Sequence, residues 1–581
     1  MSLPFDLETK QSPANPRVIA LGYYLLVGAI LLAFFVTFYP EVYAHFVPAE
    51  DEPGFFGGSL KIDPYHWLSS GYSKYFAVYP EWFAPYTNFI RPATSALAWV
   101  LYQIFGDRFG YYIIPYYIFI LLAAVVLFRC LKDVGVSGPI LLFAAILWPL
   151  SPPVISMGLW NFPFIFDVAT ALIVIVAFRA VLYEQYALAF LALALALATK
   201  ETAAFAPVAA AATILIFRRF SPTSWGLATL MLLPAAIWAG GRQYYLGQFS
   251  GGTYARIGSE SVAHAIGYWP VGLSPAFVTL KNLALHPGML GDVKFILDLA
   301  AAGVNALVWV AIVVIYAKYL PRLLQSFVFD RKSEPAPVDK WLLAMLIWLG
   351  GSLAYLLVNN LYGRYGGCFA LFLIMTLIAA AYLDRQSLAG RLSFASLIAL
   401  TLLYVTSGIY QVNALRVQAS IAQKLHASLD KALTGIGGPR HKVYVVNAAR
   451  GFSSPDYLAR LLNSPHELIY VNQFDACTKS AGFSGVPVNT PQGLHVTLPE
   501  CAQLVFNAVT NPEFASGTVD VVQREGVGTY SFGSQKTQKF SIVPGYTLDG
   551  HEFYFQGVPD SADVIYYNWS NEKFERLGAD Q

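Results

Sequence analysis

Four short stretches carry side chains suited to chemistry: Glu50-Asp51-Glu52, Arg91-Pro92, Thr199-Lys200-Glu201 and Gly363-Arg364-Tyr365. A carboxylate beside a hydroxyl can take its proton as a general base, worth about 10² to 10⁴ in rate. Arginine grips two phosphate oxygens at once and stays charged, whereas lysine acts as a point charge. Both stabilise the charge that develops on a leaving oxygen. Together these groups suit transfer of a phosphate-linked group to an acceptor hydroxyl.

Each stretch also has a plainer reading. The acidic run can be a solvated loop, Lys200 and Glu201 can pair with each other at a helix turn, and Arg364 can anchor a helix end. Asp167, alone among apolar neighbours, reads as a hydrogen-bond acceptor inside a bundle rather than a catalyst. An ionisable group at membrane depth is a functional candidate by default.

The elements that hold these residues are membrane helices. The chain has 581 residues, of which 56% are hydrophobic and 12% charged, and its mean hydropathy is +0.51. That composition indicates a polytopic membrane protein. A net charge of +2, with no basic tail or basic-aromatic patch, sets nucleic acid aside as a partner. Residues 1–17 are polar, and the apolar run after them lacks a small-residue cleavage signal, so it reads as a retained first span.

Spans are expected at 18–39, 110–128, 138–150, 164–182, 186–199, 202–217, 224–240, 299–317, 341–358, 368–383 and 392–410, about eleven in all. The stretch 93–105 is apolar but too short to cross and reads as an interfacial helix. Lys10 and Arg17, Arg129 and Lys132, Arg218 and Arg219, the loop 318–340, and Arg385 and Arg391 then fall on one side. By the positive-inside rule that side is cytoplasmic. The N-terminus is therefore inside, and the loops 40–109 and 241–297 are outside with the C-terminus. All four chemical stretches lie on the outer side.

After residue 410 hydropathy falls. An amphipathic helix is expected over 415–433, followed by strands at KVYVV (442), ELIYV (467), LHVTL (494), TVDVV (518) and DVIYY (563), with one helix near 455–462. Residues 411–581 thus form an extracytoplasmic α/β, mostly β, domain. In an oxidising compartment Cys477 and Cys501 are expected to form a disulfide, while Cys130 and Cys368 read as small buried hydrophobes. Asn568-Trp569-Ser570 is formally a glycosylation sequon.

The order of the motifs resembles the GT-C superfamily of polyprenyl-phosphate-sugar glycosyltransferases, which includes protein O-mannosyltransferases and the lipid A aminoarabinose transferase. The shared features are an acidic pair after the first span, then Arg91-Pro92 opening an apolar stretch that ends in Phe105-Gly106. Thr199-Lys200-Glu201 follows between two spans, and Gly363-Arg364-Tyr365 opens a late one. The resemblance covers about residues 18–410. It implies an all-α, GT-C-like membrane domain and an inverting transfer of one sugar from a polyprenyl-phosphate donor to a glycan, lipid or protein acceptor.

Carried over by position, the resemblance makes Asp51 the base, with Glu52 its partner and Glu50 a neighbour. Lys200 and Arg364 would meet the donor phosphate, Arg91 would shape the outer loop or touch the same phosphate, and Asp63, His66 and Tyr365 are candidates for the acceptor path. Where some relatives carry His and Glu after the third span, this chain reads SPPVISMGLW. His66, His264 and His286 lack metal-ligand spacing, so metal independence is expected and no cofactor is assigned. Rival readings are a lipid-linked sugar flippase, which should show repeat-related halves, and a glycan ligase using polyprenyl diphosphate.

Overall fold

The computed structural model describes residues 16–38, 91–106, 109–151, 154, 165–246, 291–329, 336–358 and 366–449, and shorter runs between 462 and 578. Its N-terminal part is helical: α1 Pro16–Phe38, α2 Pro92–Phe105, α3 Ile113–Asp133, α4 Leu142–Leu147, α5 Ile165–Leu182 and α6 Tyr186–Thr199. It continues with α7 Phe205–Phe217, α8 Pro222–Leu246, α9 Gly291–Leu324, α10 Pro337–Val358, α11 Gly367–Leu383 and α12 Leu388–Thr434. Among the described residues seven helices are long and apolar enough to cross a membrane, and α6, α11 and Glu201–Phe217 are shorter apolar segments.

Helix α1 shows why such a segment belongs in lipid. Tyr23, Val27 and Leu31 recur at helical spacing and are buried, while Val18, Leu21, Leu25, Leu32 and Val36 on the other face are exposed. Each face is apolar, but only one has a protein partner, so the other suits a hydrocarbon solvent. The inner face is pinned to α3, where the Tyr23 hydroxyl donates to the Ala124 carbonyl at 2.9 Å and its ring meets Phe128.

Helix α11 occupies the middle of the bundle and is buried on every side from Gly367 to Ala381. Phe372 of α11, Phe178 of α5, Phe205 of α7 and Trp348 of α10 form one aromatic cluster. The Trp348 indole N–H reaches the Thr213 hydroxyl at 3.2 Å, so the buried donor is satisfied. Glycine allows close approach nearby: a Cβ on Gly351 would already touch Phe205 and Ala209 of α7.

Two elements differ from the sequence reading. The expected span over 138–150 is a 3-10 turn, Pro139–Leu141, and the six-residue α4, followed by turns. Pro149, with no N–H to donate, follows directly. The last expected span and the amphipathic helix after it form one 47-residue helix, α12, about 70 Å long. Ser387 caps its start by accepting from the Gly390 N–H.

The C-terminal half of α12 seats a four-stranded sheet made of β1 Lys442–Val446, β2 Glu467–Tyr470, β3 Asp563–Asn568 and β4 Lys573–Arg576, in the order β4-β3-β1-β2. β1 is parallel to β2 and β3, and β4 is antiparallel to β3. Leu425, Leu429 and Leu433, one helical stripe, pack on Val443, Val445, Ile565, Tyr567 and Phe574, the alternate residues of one sheet face. Further strands form two three-stranded sheets and the hairpin Val527–Phe532 with Lys536–Ser541. The expected strands at 442, 467, 494 and 563 are present, whereas 518–522, 455–461 and the pair Cys477 and Cys501 lie outside the described residues. Cys130 and Cys368 are buried free thiols. The sequon asparagine is also buried, its amide donating to Glu575 at 2.7 Å.

Candidate functional site

Thr199-Lys200-Glu201 is a break between two helices. α6 ends at Thr199, Lys200 is extended at φ −156° and ψ 142°, and Glu201 opens the 3-10 turn Glu201–Ala203 that leads into α7. The order suits the helix dipoles, with a cation at the carboxyl end of one helix and an anion at the amino end of the next.

Lys200 and Glu201 do not pair with each other in the manner the sequence allowed. The Lys200 ammonium meets Asp167 Oδ2 at 2.5 Å, with side-chain exposures of 5% and 4%. Asp167 lies in the first turn of α5, another amino end that favours an anion. Glu201 instead takes Arg91 in a two-pronged contact, Arg91 Nε to Oε2 at 2.7 Å and Nη2 to Oε1. Thr94, buried in the first turn of α2, donates to the Thr199 carbonyl at 2.5 Å. The short helix α2 is thus fastened to the α6–α7 turn by an ion pair and a hydrogen bond three residues apart.

The amino end of α11 closes the cluster. A Cβ on Gly367 would touch the Asp167 carbonyl and Ala171 at 3.9 Å. Gly367 stands three residues after Arg364 in the sequence. Asp167, which the sequence presented as a structural acceptor, does accept inside the bundle, and its donor is the motif lysine.

Other charge pairs mark the opposite end. Arg179, near the carboxyl end of α5, meets Asp133 at the carboxyl end of α3 at 3.0 Å, and Arg218 meets Glu184 at 2.7 Å. Lys318 and Tyr319 both reach Asp384, the Tyr319 hydroxyl at 2.5 Å. Glu50, Asp51, Glu52, Asp63, His66, Arg364 and Tyr365 lie outside the described residues. Among the described residues no group of three His, Cys, Asp or Glu side chains gathers for a metal. Sequence reasoning passed over Thr94; a lone threonine two residues after a proline carries no signal of its distant partner.

No family model matches this sequence, and no curated protein does. The structure is similar to the crystal structure of ArnT from Cupriavidus metallidurans in the apo state, with TM-score 0.37, 15% identity, and 78% of this chain and 86% of that one covered.

Proposed function

We propose that this chain is an inverting glycosyltransferase that moves a sugar from a polyprenyl-phosphate carrier to a glycan, lipid or protein acceptor on the outer face of a membrane. One observation supports the reading above others: Arg91, Asp167 and the adjacent Lys200 and Glu201, drawn from three separate segments, converge at one end of a membrane bundle. Charges so buried cost several kcal/mol each unless paired, so an arrangement with no task would be replaced by apolar packing at little loss.

In this reading Asp51, with Glu52, takes the proton of the acceptor hydroxyl as that oxygen attacks the anomeric carbon. The bond to the phosphate oxygen breaks through an oxocarbenium-like transition state. Lys200 and Arg364 receive the charge of the departing polyprenyl phosphate. Asp167 holds Lys200 extended toward the site, and Arg91 braces the turn through Glu201 and lies beside the same phosphate. The end bearing Lys200 faces outward because the basic loops, including Arg218, Arg219 and Lys318, belong to the other end. Helix α12 carries its sheet away from the Asp384 end, which suits a domain that receives the acceptor outside.

The test is transfer from radiolabelled undecaprenyl-phosphate hexoses to a membrane-glycan extract by the purified full-length protein. Turnover that falls about 10² or more in Asp51→Asn or Glu52→Gln, with donor binding kept, supports the reading and identifies the base. No turnover of any such donor by the wild type would overturn it.

A further inference from the structure

The turn that joins α7 to α8 carries two strained residues at the end of the bundle opposite Lys200. After Phe217 the helix closes with the Arg219 N–H on the Ile216 carbonyl at 3.1 Å and the Phe220 N–H on the Leu215 carbonyl at 2.8 Å. Arg219 and Phe220 both take the left-handed conformation, at φ 50° and 55°, where glycine is the ordinary choice. A side chain at such a position costs stability that the rest of the fold must make up. Ser221 then caps α8 by accepting from the Ser224 N–H at 3.3 Å.

Phe220, one residue before that cap, lies 6.2 Å from Trp225 between ring centroids, and such a pair fixes the angle at which a chain enters a helix. That role needs the rings to touch each other. It does not account for their remaining 43% and 55% exposed, nor for an arginine beside them at a glycine position. The end of α9 comes to the same place: Phe327, in the π-helical turn Gln325–Phe329, stacks on Phe217 at 5.2 Å, and Phe329 is 77% exposed. Large rings at the rim of an apolar bundle suit the headgroup level of a bilayer. The charge at this end is one-sided, with Arg218, Arg219, Lys318, Arg322, Arg385 and Arg391 against Glu184, Asp339 and Asp384.

We propose that the α7–α8 turn is a binding site for an acidic phospholipid, Arg219 meeting the phosphate of its headgroup while Phe220 and Trp225 lie against the glycerol and the upper acyl carbons. Arginine suits a phosphate, which it grips with two N–H groups. Two left-handed residues in a row place the arginine and the ring side by side in one short turn at the rim, and that is the use of the strain. The site lies away from the Lys200 cluster and does not depend on the glycosyltransferase reading.

The test offers the purified full-length protein phosphatidylglycerol and phosphatidylcholine in equal amounts, counts the retained lipid by native mass spectrometry, and measures Tm with and without each lipid. Wild type should retain phosphatidylglycerol in preference and melt higher with it, and both effects should shrink as salt rises from about 50 to about 500 mM. Arg219→Gln should lower that retention about 5-fold, the share of one basic residue at an anionic surface. Arg219→Gly should lose as much, with its lipid-free Tm unchanged or raised because glycine relieves the backbone. Trp225→Ala should lower retention of both lipids alike. Lys424→Gln, which alters an exposed lysine in the C-terminal half of α12, should change neither.

Equal retention of the two lipids by the wild type, or an Arg219→Gln variant that keeps the preference, would overturn the site. A lipid-free Tm that falls in Arg219→Gly would overturn it too, by making the arginine a structural partner. Undiminished retention in Trp225→Ala would remove the ring contact on which the assignment also stands. A loss in Lys424→Gln equal to that in Arg219→Gln would show a diffuse effect of net charge in place of a site.

Discussion

Lys200 Nζ lies 2.5 Å from Asp167 Oδ2 with both side chains buried, and this bond joins the α6–α7 turn to the first turn of α5. Breaking a buried pair by removing one partner strands the other charge, at about 3 to 5 kcal/mol. Asp167→Asn and Lys200→Met should therefore each lower the melting temperature of the purified protein strongly. The double variant Asp167→Leu/Lys200→Met should regain most of the stability but no sugar transfer. Recovery of transfer in the double variant would show that the pair is structural only.

Arg91 and Glu201 form a two-pronged contact that lysine cannot copy. Arg91→Lys should loosen the α6–α7 turn by about 1 to 3 kcal/mol, read as faster amide exchange in the peptide covering 196–206. Thr94→Val, which removes the bond to the Thr199 carbonyl, should cost about 1 kcal/mol.

Two glycines differ in what they tolerate. A Cβ on Gly390 would sit 2.0 Å from the Asp384 carbonyl oxygen, whereas on Gly351 it would rest at 3.5 Å from Phe205. Gly390→Ala must displace backbone and should destabilise by about 1 to 3 kcal/mol. Gly351→Ala should be close to neutral in the same thermal melts.

Two histidines in the C-terminal region should respond to pH in opposite senses. The His441 ring bonds the Pro439 carbonyl at 2.8 Å and Asp563 Oδ2 at 2.7 Å. Those acceptors raise its pKa, the carbonyl first and the carboxylate next, against desolvation and the nearby Arg576. Its contribution is present below the unfolded value of about 6.5 and is lost as pH rises through the elevated native value. His426, buried on α12, is pushed down to about 4 by desolvation. Its neutral form stabilises above about pH 6.5, and that stability drains as pH falls toward 4, by on the order of 3 kcal/mol. Intrinsic-rate-corrected hydrogen exchange of the peptides over 436–446 and 563–576 reads both. His441→Gln should abolish the gain on acidification, and His426→Leu should abolish the loss.

Apolar runs of adequate length and strand-type pentapeptides were enough to place most of the helices and the strands at 442, 467, 494 and 563. These are local properties, because a bilayer selects a helix by length and hydropathy and a strand shows itself by composition. The order of the motifs also singled out Arg91 and Lys200 as candidates for the donor phosphate. Which charge meets which was decided only by tertiary structure. Lys200 and Glu201 are neighbours in the chain, yet the extended residue between two helices lets them diverge, one to Asp167 and the other to Arg91. Partners 33 and 110 residues away leave no periodic trace in the sequence. The same holds for α12: nothing local ends a helix at residue 410, and packing of Leu425, Leu429 and Leu433 on the sheet sustains the helix after the apolar span has ended.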